Sequence, residues 1–224
     1  MIIIYDFDGT LTPNSVPKYK VLDKDIDIMS LVKNKMTTDC NLYQLFYDAY
    51  LGEFKKLDTP ITNDILCMGS KKIEYCKGVP EFLEYLNGKN IKNYLLSSGL
   101  KVYLENTTIA KYFTKIYGTT LKYEDDEVIG LDYMLTDKDK ARIIKQIVME
   151  NNLINCKDII YIGDGLTDME AFKYVFDNGG TAIFVYDKQD KIVKQPFISY
   201  YFKRDYTDNS ELRNVIDNLI LKDK

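Results

Sequence analysis

Four short apolar runs, at residues 2 to 5, 91 to 96, 158 to 162 and 181 to 186, limit most strongly what this chain can fold into. Each is bounded by acidic or turn-forming residues and has the length of a strand buried on both faces, as in a parallel sheet. The stretches between them carry helical spacing, at Pro80 to Gly88, Leu100 to Phe113, Asp137 to Asn151 and Thr167 to Phe176. Alternating strand and helix predict an open α/β sheet, with ligands at the carboxyl ends of its strands.

Two stretches depart from the alternation. Residues 14 to 77 offer helices near Leu22 to Lys33, Asp39 to Leu57 and Thr62 to Tyr75 and no convincing strand. They are expected to form a helical cap inserted into a core made of residues 1 to 13 and 78 to 224. Residues Lys115 to Leu135 carry β-prone positions around the polar turn Glu124-Asp125-Asp126-Glu127, which predicts a hairpin.

Composition removes several function classes. A net charge of -4 with arginine only at 142, 204 and 213 leaves no basic stripe for a nucleic-acid backbone. The opening Met1 to Tyr5 reaches an aspartate at position 6, too soon for a signal peptide or a membrane span. It reads as a buried strand of a cytoplasmic protein. Histidine is absent, which excludes Ser-His-Asp triads and phosphohistidine chemistry. The 4 cysteines, at 40, 67, 76 and 156, lack paired metal-site spacing and read as free thiols. The residues six beyond them are Phe46, Ile73, Phe82 and Ile162, so none has the arginine a cysteine-based phosphatase needs. Carboxylates and lysines must carry the chemistry.

Four constellations supply them. Asp6 and Asp8 end the first strand, where residues two apart share a side, and Gly9 permits a sharp turn. An EF-hand would need glycine where Leu11 stands and glutamate where Pro17 stands, so a calcium loop is excluded. A pair that merely caps a turn is the plain alternative. Gly163-Asp164-Gly165-Leu166-Thr167-Asp168 follows the third apolar run. Asp168 occupies the place of a dinucleotide fingerprint's last glycine, and two carboxylates in a strand-to-helix loop suit a hard cation such as Mg²⁺. Helix capping by Thr167 or Asp168 is compatible with that role. Ser97-Ser98-Gly99 offers a hydroxyl and backbone amides as an anion cradle, or an ordinary turn. Lys138 and Lys140 open a helix that Thr136 and Asp139 would cap, placing Lys140 in its first turn. A lysine there is usually solvated, and an adjacent anion site gives it a function.

In this order and spacing the motifs resemble those of the haloacid-dehalogenase-like superfamily, over nearly the whole chain. The resemblance implies a Rossmann-like, mainly parallel core with a small helical cap. It further implies Asp6 as nucleophile and Asp8 as general acid and base. Ser97 and Lys140 would hold phosphoryl oxygens, with Gly9, Ser98 and Gly99 lining the phosphate site. Mg²⁺ would sit between Asp6, the Asp8 carbonyl, Asp164 and Asp168. A small-molecule phosphate ester is the expected partner, hydrolysed through an aspartyl phosphate, and no oligomeric state is singled out. Crowding among carboxylates is expected to raise the Asp8 pKa. The layout is similar to phosphoserine phosphatases, which grip the substrate carboxylate with a cap arginine. This segment has none, leaving Lys18, Lys20 or Lys33 as substitutes. Tyr43, Phe46, Tyr47, Tyr50 and Phe54 could line a pocket, with core packing at helical spacing the plainer reading. A phosphomutase using the same intermediate, and an idle Mg²⁺-binding scaffold, are the competing functions.

Overall fold

The computed structural model describes residues 1–14, 18–22, 24–35, 41–188, 192 and 194–222. The four apolar runs are strands β1 (Ile2–Tyr5), β4 (Lys92–Leu100), β7 (Ile159–Gly163) and β8 (Thr181–Tyr186). The expected hairpin is β5 (Lys115–Glu124) with β6 (Glu127–Tyr133), turning through Asp125 and Asp126 at positive φ. With β9 (Tyr200–Lys203) they form a seven-stranded sheet in the order β6-β5-β4-β1-β7-β8-β9, parallel except for β6. β1 is central, and the chain crosses first to one side of it and later to the other. Its carboxyl end is therefore where the two halves part and a ligand crevice opens.

Alternate residues of β1 feed two cores. Ile3 and Tyr5 pack with Val79, Phe82, Leu83 and Leu86 of α4 (Val79–Gly88) and with Leu212, Ile216 and Ile220 of α8 (Glu211–Lys222). Ile2 and Ile4 pack with Ile143, Ile144, Ile147 and Val148 of α6 (Asp137–Glu150) and with Ala171, Phe172 and Val175 of α7 (Met169–Asp177). Helices thus cover both faces, as a buried parallel sheet requires. The helix expected over Leu100 to Phe113 is broken into α5 (Lys101–Glu105) and a 3₁₀ turn at Ala110–Tyr112. Asn106 and Thr107 end α5 by donating side-chain hydrogen bonds to the carbonyls of Val102 and Leu104, both at 2.8 Å.

The inserted stretch is not purely helical. The helix expected over Leu22 to Lys33 is instead an antiparallel hairpin, β2 (Lys18–Val21) with β3 (Lys24–Asp27), followed by the short α1 (Ile28–Val32). Leu22 lies at φ 50°, a left-handed turn conformation, and Val21 and Ile26 are the buried residues among the pair's described side chains. Interleaved lysines and aspartates hide that alternation in the sequence. The second expected helix is α2 (Leu42–Phe54), with positions 39 and 40, including Cys40, outside the described residues. The third is α3 (Asn63–Ser70). Val21, Ile26, Val32, Tyr47, Tyr50, Phe54, Ile61 and Leu66 form a third core with Leu100, Tyr103 and Leu121 of the sheet region. No helix among the described residues is long and apolar enough to cross a membrane.

Candidate active site

The loops after β1 and β7 meet at the crevice. Gly9 lies at φ +79°, and a Cβ there would collide with the Asp164 carboxylate, so only glycine allows this approach. A Cβ on Gly163 would fall 2.5 Å from Asp168 Oδ2. These two contacts press remote segments together, and Asp6, Asp164 and Asp168 each bring a carboxylate oxygen within 4.8 Å of the others. That oxygen-only donor set is of the kind a hard divalent cation takes.

Lys140 enters from the first turn of α6. The Asp139 carboxylate accepts hydrogen bonds from the Thr136 backbone N–H at 3.0 Å and its hydroxyl at 2.9 Å, fixing the start of that helix. The Lys140 ammonium donates to Asp6 Oδ1 at 2.9 Å and Asp168 Oδ1 at 2.7 Å, with its side chain 1% exposed. Lys138 is exposed and outside the site. Burial works to lower the Lys140 pKa, but the charges of Asp168 and Asp6 outweigh it and hold the amine well above its usual range.

Asp168 is saturated by the chain. Its Oδ1 accepts from Lys140 and from the Tyr161 hydroxyl at 2.6 Å, and its Oδ2 accepts from the backbone N–H groups of Asp164 at 3.1 Å and Gly165 at 3.2 Å. A carboxylate has about four lone-pair positions, so Asp168 holds the lysine and the turn in place.

Asp8 is half-buried beside this cluster. Burial first, then the charges of Asp6 and Asp164, push its pKa well above the ordinary carboxylate range, against the opposing pull of Lys140. The direction matches the expectation from crowding, with desolvation as the larger cause. Asp6 is also raised, by burial foremost and by Asp168, while Lys140 acts in the opposite sense.

Ser97-Ser98-Gly99 lies within β4 and not in a turn after it. Leu96 pairs with Tyr117 and Leu100 with Thr119, so the intervening residues bulge from the ladder. Such bulges re-aim side chains beside functional sites. Ser97 Oγ accepts the Gly99 N–H at 3.0 Å, which leaves its hydroxyl hydrogen for a ligand. Ser98 Oγ is buried with no protein partner, a costly state that a bound oxyanion would relieve.

One cavity of about 290 Å³ gathers most of the predicted residues: Asp6, Asp8, Ser97, Ser98, Gly99, Lys140 and Asp164. Gly9 and Asp168 do not line it; they stand behind its wall. Opposite the acidic floor lie Tyr43, Phe46, Tyr47 and Tyr50 of α2. Both sequence readings of these aromatics hold in part, since Tyr47 and Tyr50 serve core and cavity alike. Tyr47 donates to the Ser98 carbonyl at 2.6 Å, and the Tyr43 hydroxyl accepts the Asp137 N–H at 2.9 Å, tying α2 to the bulge and to the start of α6. Lys33 is exposed and does not line the cavity, and the side chains of Lys18 and Lys20 lie outside the described ones.

Three contributors carried no signal in the sequence. Tyr161 is a strand residue whose hydroxyl happens to reach Asp168. Arg204, only slightly exposed, donates to the carbonyls of Gly9 and, at 3.1 Å, Pro13. Tyr206 donates to the Thr10 carbonyl at 3.0 Å. The segment after β9 therefore fastens the loop that follows β1.

Fold and site define an α/β protein with a lysine-anchored acidic centre suited to an anionic ligand beside a hard cation. Residues 3–173 match the model of the haloacid dehalogenase-like hydrolases, and the chain belongs to that family. A stretch of 97 residues is 31% identical to the phosphoserine phosphatase of Mus musculus, spanning 42% of this chain and 43% of that protein. A substrate-bound phosphoserine phosphatase complex superposes with a TM-score of 0.68 at 18% identity, over 97% of each chain. A phospho-aspartyl intermediate analogue of phosphoserine phosphatase gives 0.65 at 16% identity, again over 97% of each. At those identities the structures speak for the fold.

Proposed function

We propose that this chain is a phosphatase that hydrolyses a small-molecule phosphate monoester through an aspartyl phosphate on Asp6, with Mg²⁺ as cofactor. The observation that carries the reading is the convergence of Asp6, Asp8, Ser97, Ser98, Lys140 and Asp164 on one cavity at the carboxyl end of the sheet. The name of the phosphoserine-phosphatase intermediate analogue, which shares this fold, agrees with it.

Asp6, Asp164 and the backbone carbonyl of Asp8 would hold Mg²⁺, with Asp168 in support because its own oxygens are already engaged. When bound, the ion offsets the negative charge that otherwise keeps a carboxylate from approaching a phosphate dianion. Lys140 adds fixed positive charge, and the hydroxyls of Ser97 and Ser98 donate to phosphoryl oxygens. Asp6 attacks phosphorus in line while the ester oxygen departs, dividing one slow displacement into two. Asp8, whose raised pKa favours its protonated form, gives a proton to the leaving oxygen. The resulting carboxylate then takes a proton from the water that cleaves the aspartyl phosphate. The described residues between 14 and 77 act as a cap over this chemistry.

The test is release of phosphate from a generic aryl phosphate with Mg²⁺, with EDTA in its place, and with Asp6→Asn. Turnover confined to the first condition is expected. Undetectable turnover by folded protein across a broad panel of phosphate esters would favour the idle scaffold.

A further inference from the structure

The wall of the cavity facing Asp6 and Lys140 is made by Tyr43, Phe46, Tyr47 and Tyr50. Their spacing along α2 places them on one helical face. Tyr47 has committed its hydroxyl hydrogen to the Ser98 carbonyl, and the Tyr43 oxygen is held by the Asp137 N–H, so the wall offers mainly the faces of its rings. Leu166, 72% exposed, adds apolar surface to the cavity lining. Among the described residues lining the cavity, Lys140 is the single basic side chain, and it is engaged by Asp6 and Asp168. Asp164 contributes further negative charge.

A substrate carboxylate placed here would lose water, meet aromatic carbon and face like charge. An aromatic ring would bury its carbon and stack against the wall. An apolar cavity of about 150 Å³ accommodates benzene. A volume of about 290 Å³ therefore has room for a phosphoryl group and one ring.

We infer that the phosphate ester this site takes has an alcohol portion that carries an aromatic ring and no carboxylate, the ring seated against Phe46 and the α2 tyrosines. This rests on the phosphatase reading above and adds the substrate class. Phe46 is then a specificity-determining residue, with no part in the chemical step.

The experiment compares kcat/KM for 2-phenylethyl phosphate, ethyl phosphate and O-phosphoserine, all esters of aliphatic alcohols, so that preference reports recognition and not leaving-group acidity. The phenylethyl ester is expected to exceed each of the others by roughly 10-fold or more, the scale of burying one ring. Phe46→Ala should narrow that ratio several-fold, and a ratio taken within one preparation is insensitive to partial loss of folded enzyme. Equal efficiency on all three, a lead for O-phosphoserine, or a ratio unmoved by Phe46→Ala overturns the inference while leaving the phosphatase intact. Failure to hydrolyse any of the three while a generic aryl phosphate is turned over also overturns the inference alone, and only failure across the broad ester panel removes both.

Discussion

The floor and the roof of the cavity are held by different physics. The floor is a knot of buried charges, with Lys140 between Asp6 and Asp168 and Asp168 bonded on every side. The roof is one face of α2, packed through carbon and tied down by two tyrosine hydroxyls. Directional bonds among charged groups fix catalytic atoms in place, because any misplacement exposes an uncompensated charge. Apolar packing sets shape and tolerates exchange of similar volumes. Chemistry should therefore be lost abruptly by changes in the floor, and selectivity gradually by changes in the roof.

The sharpest way to break this contrast is Asp8→Asn, expected to lower kcat by roughly 10²- to 10⁴-fold, the usual worth of a positioned acid and base. Because the Asp8 pKa is raised, its protonated form persists to higher pH and is lost as pH climbs through that value. Wild-type enzyme should thus show an alkaline limb in its pH–rate profile that the variant lacks, and identical profiles would sink the assignment. Lys140→Ala leaves Asp6 and Asp168 buried without their cation, which should cost about 3–5 kcal/mol in urea unfolding. A loss below about 1 kcal/mol would mean that the knot is solvated.

Arg204→Ala tests the seam between the two regions. Freeing the carbonyls of Gly9 and Pro13 should remove about 1–3 kcal/mol of stability. It should also lower kcat more than it raises KM, since the loop bearing Asp6 and Asp8 is what loosens. Restoration of kcat by Arg204→Lys to the level of wild type would argue that the forked guanidinium is unnecessary. Tyr47→Phe is the mildest change, removing one hydrogen bond to the Ser98 carbonyl, which Thr119 also serves at 2.9 Å. Unfolding should shift by about 0.5–1.5 kcal/mol with activity on ethyl phosphate nearly kept.

The same contrast separates what the residue pattern alone reveals from what it conceals. Asp6, Asp8, Asp164 and Asp168 stand out because carboxylates rarely end buried apolar strands without a partner or a task. The parallel sheet is legible in runs such as Ile159 to Ile162, whose burial on both faces leaves no polar alternation. The β2–β3 hairpin is not, since among its described side chains only Val21 and Ile26 are buried and lysines mask the period. β9 and α8 likewise carry no expectation, the former because it is a four-residue strand at the sheet edge. Tyr161, Arg204 and Tyr206 act at distances in sequence that no local pattern records. The α2 aromatics have the spacing of any packed helix, and only the cavity in front of them shows a second use.

Whether Asp6 is the nucleophile is decided by rapid acid quenching of the enzyme during turnover, followed by peptide mass spectrometry. One phosphoryl group is expected on the peptide containing Asp6, present during turnover and absent from Asp6→Asn. A label on another residue, or turnover by Asp6→Asn at the wild-type rate, would contradict that role.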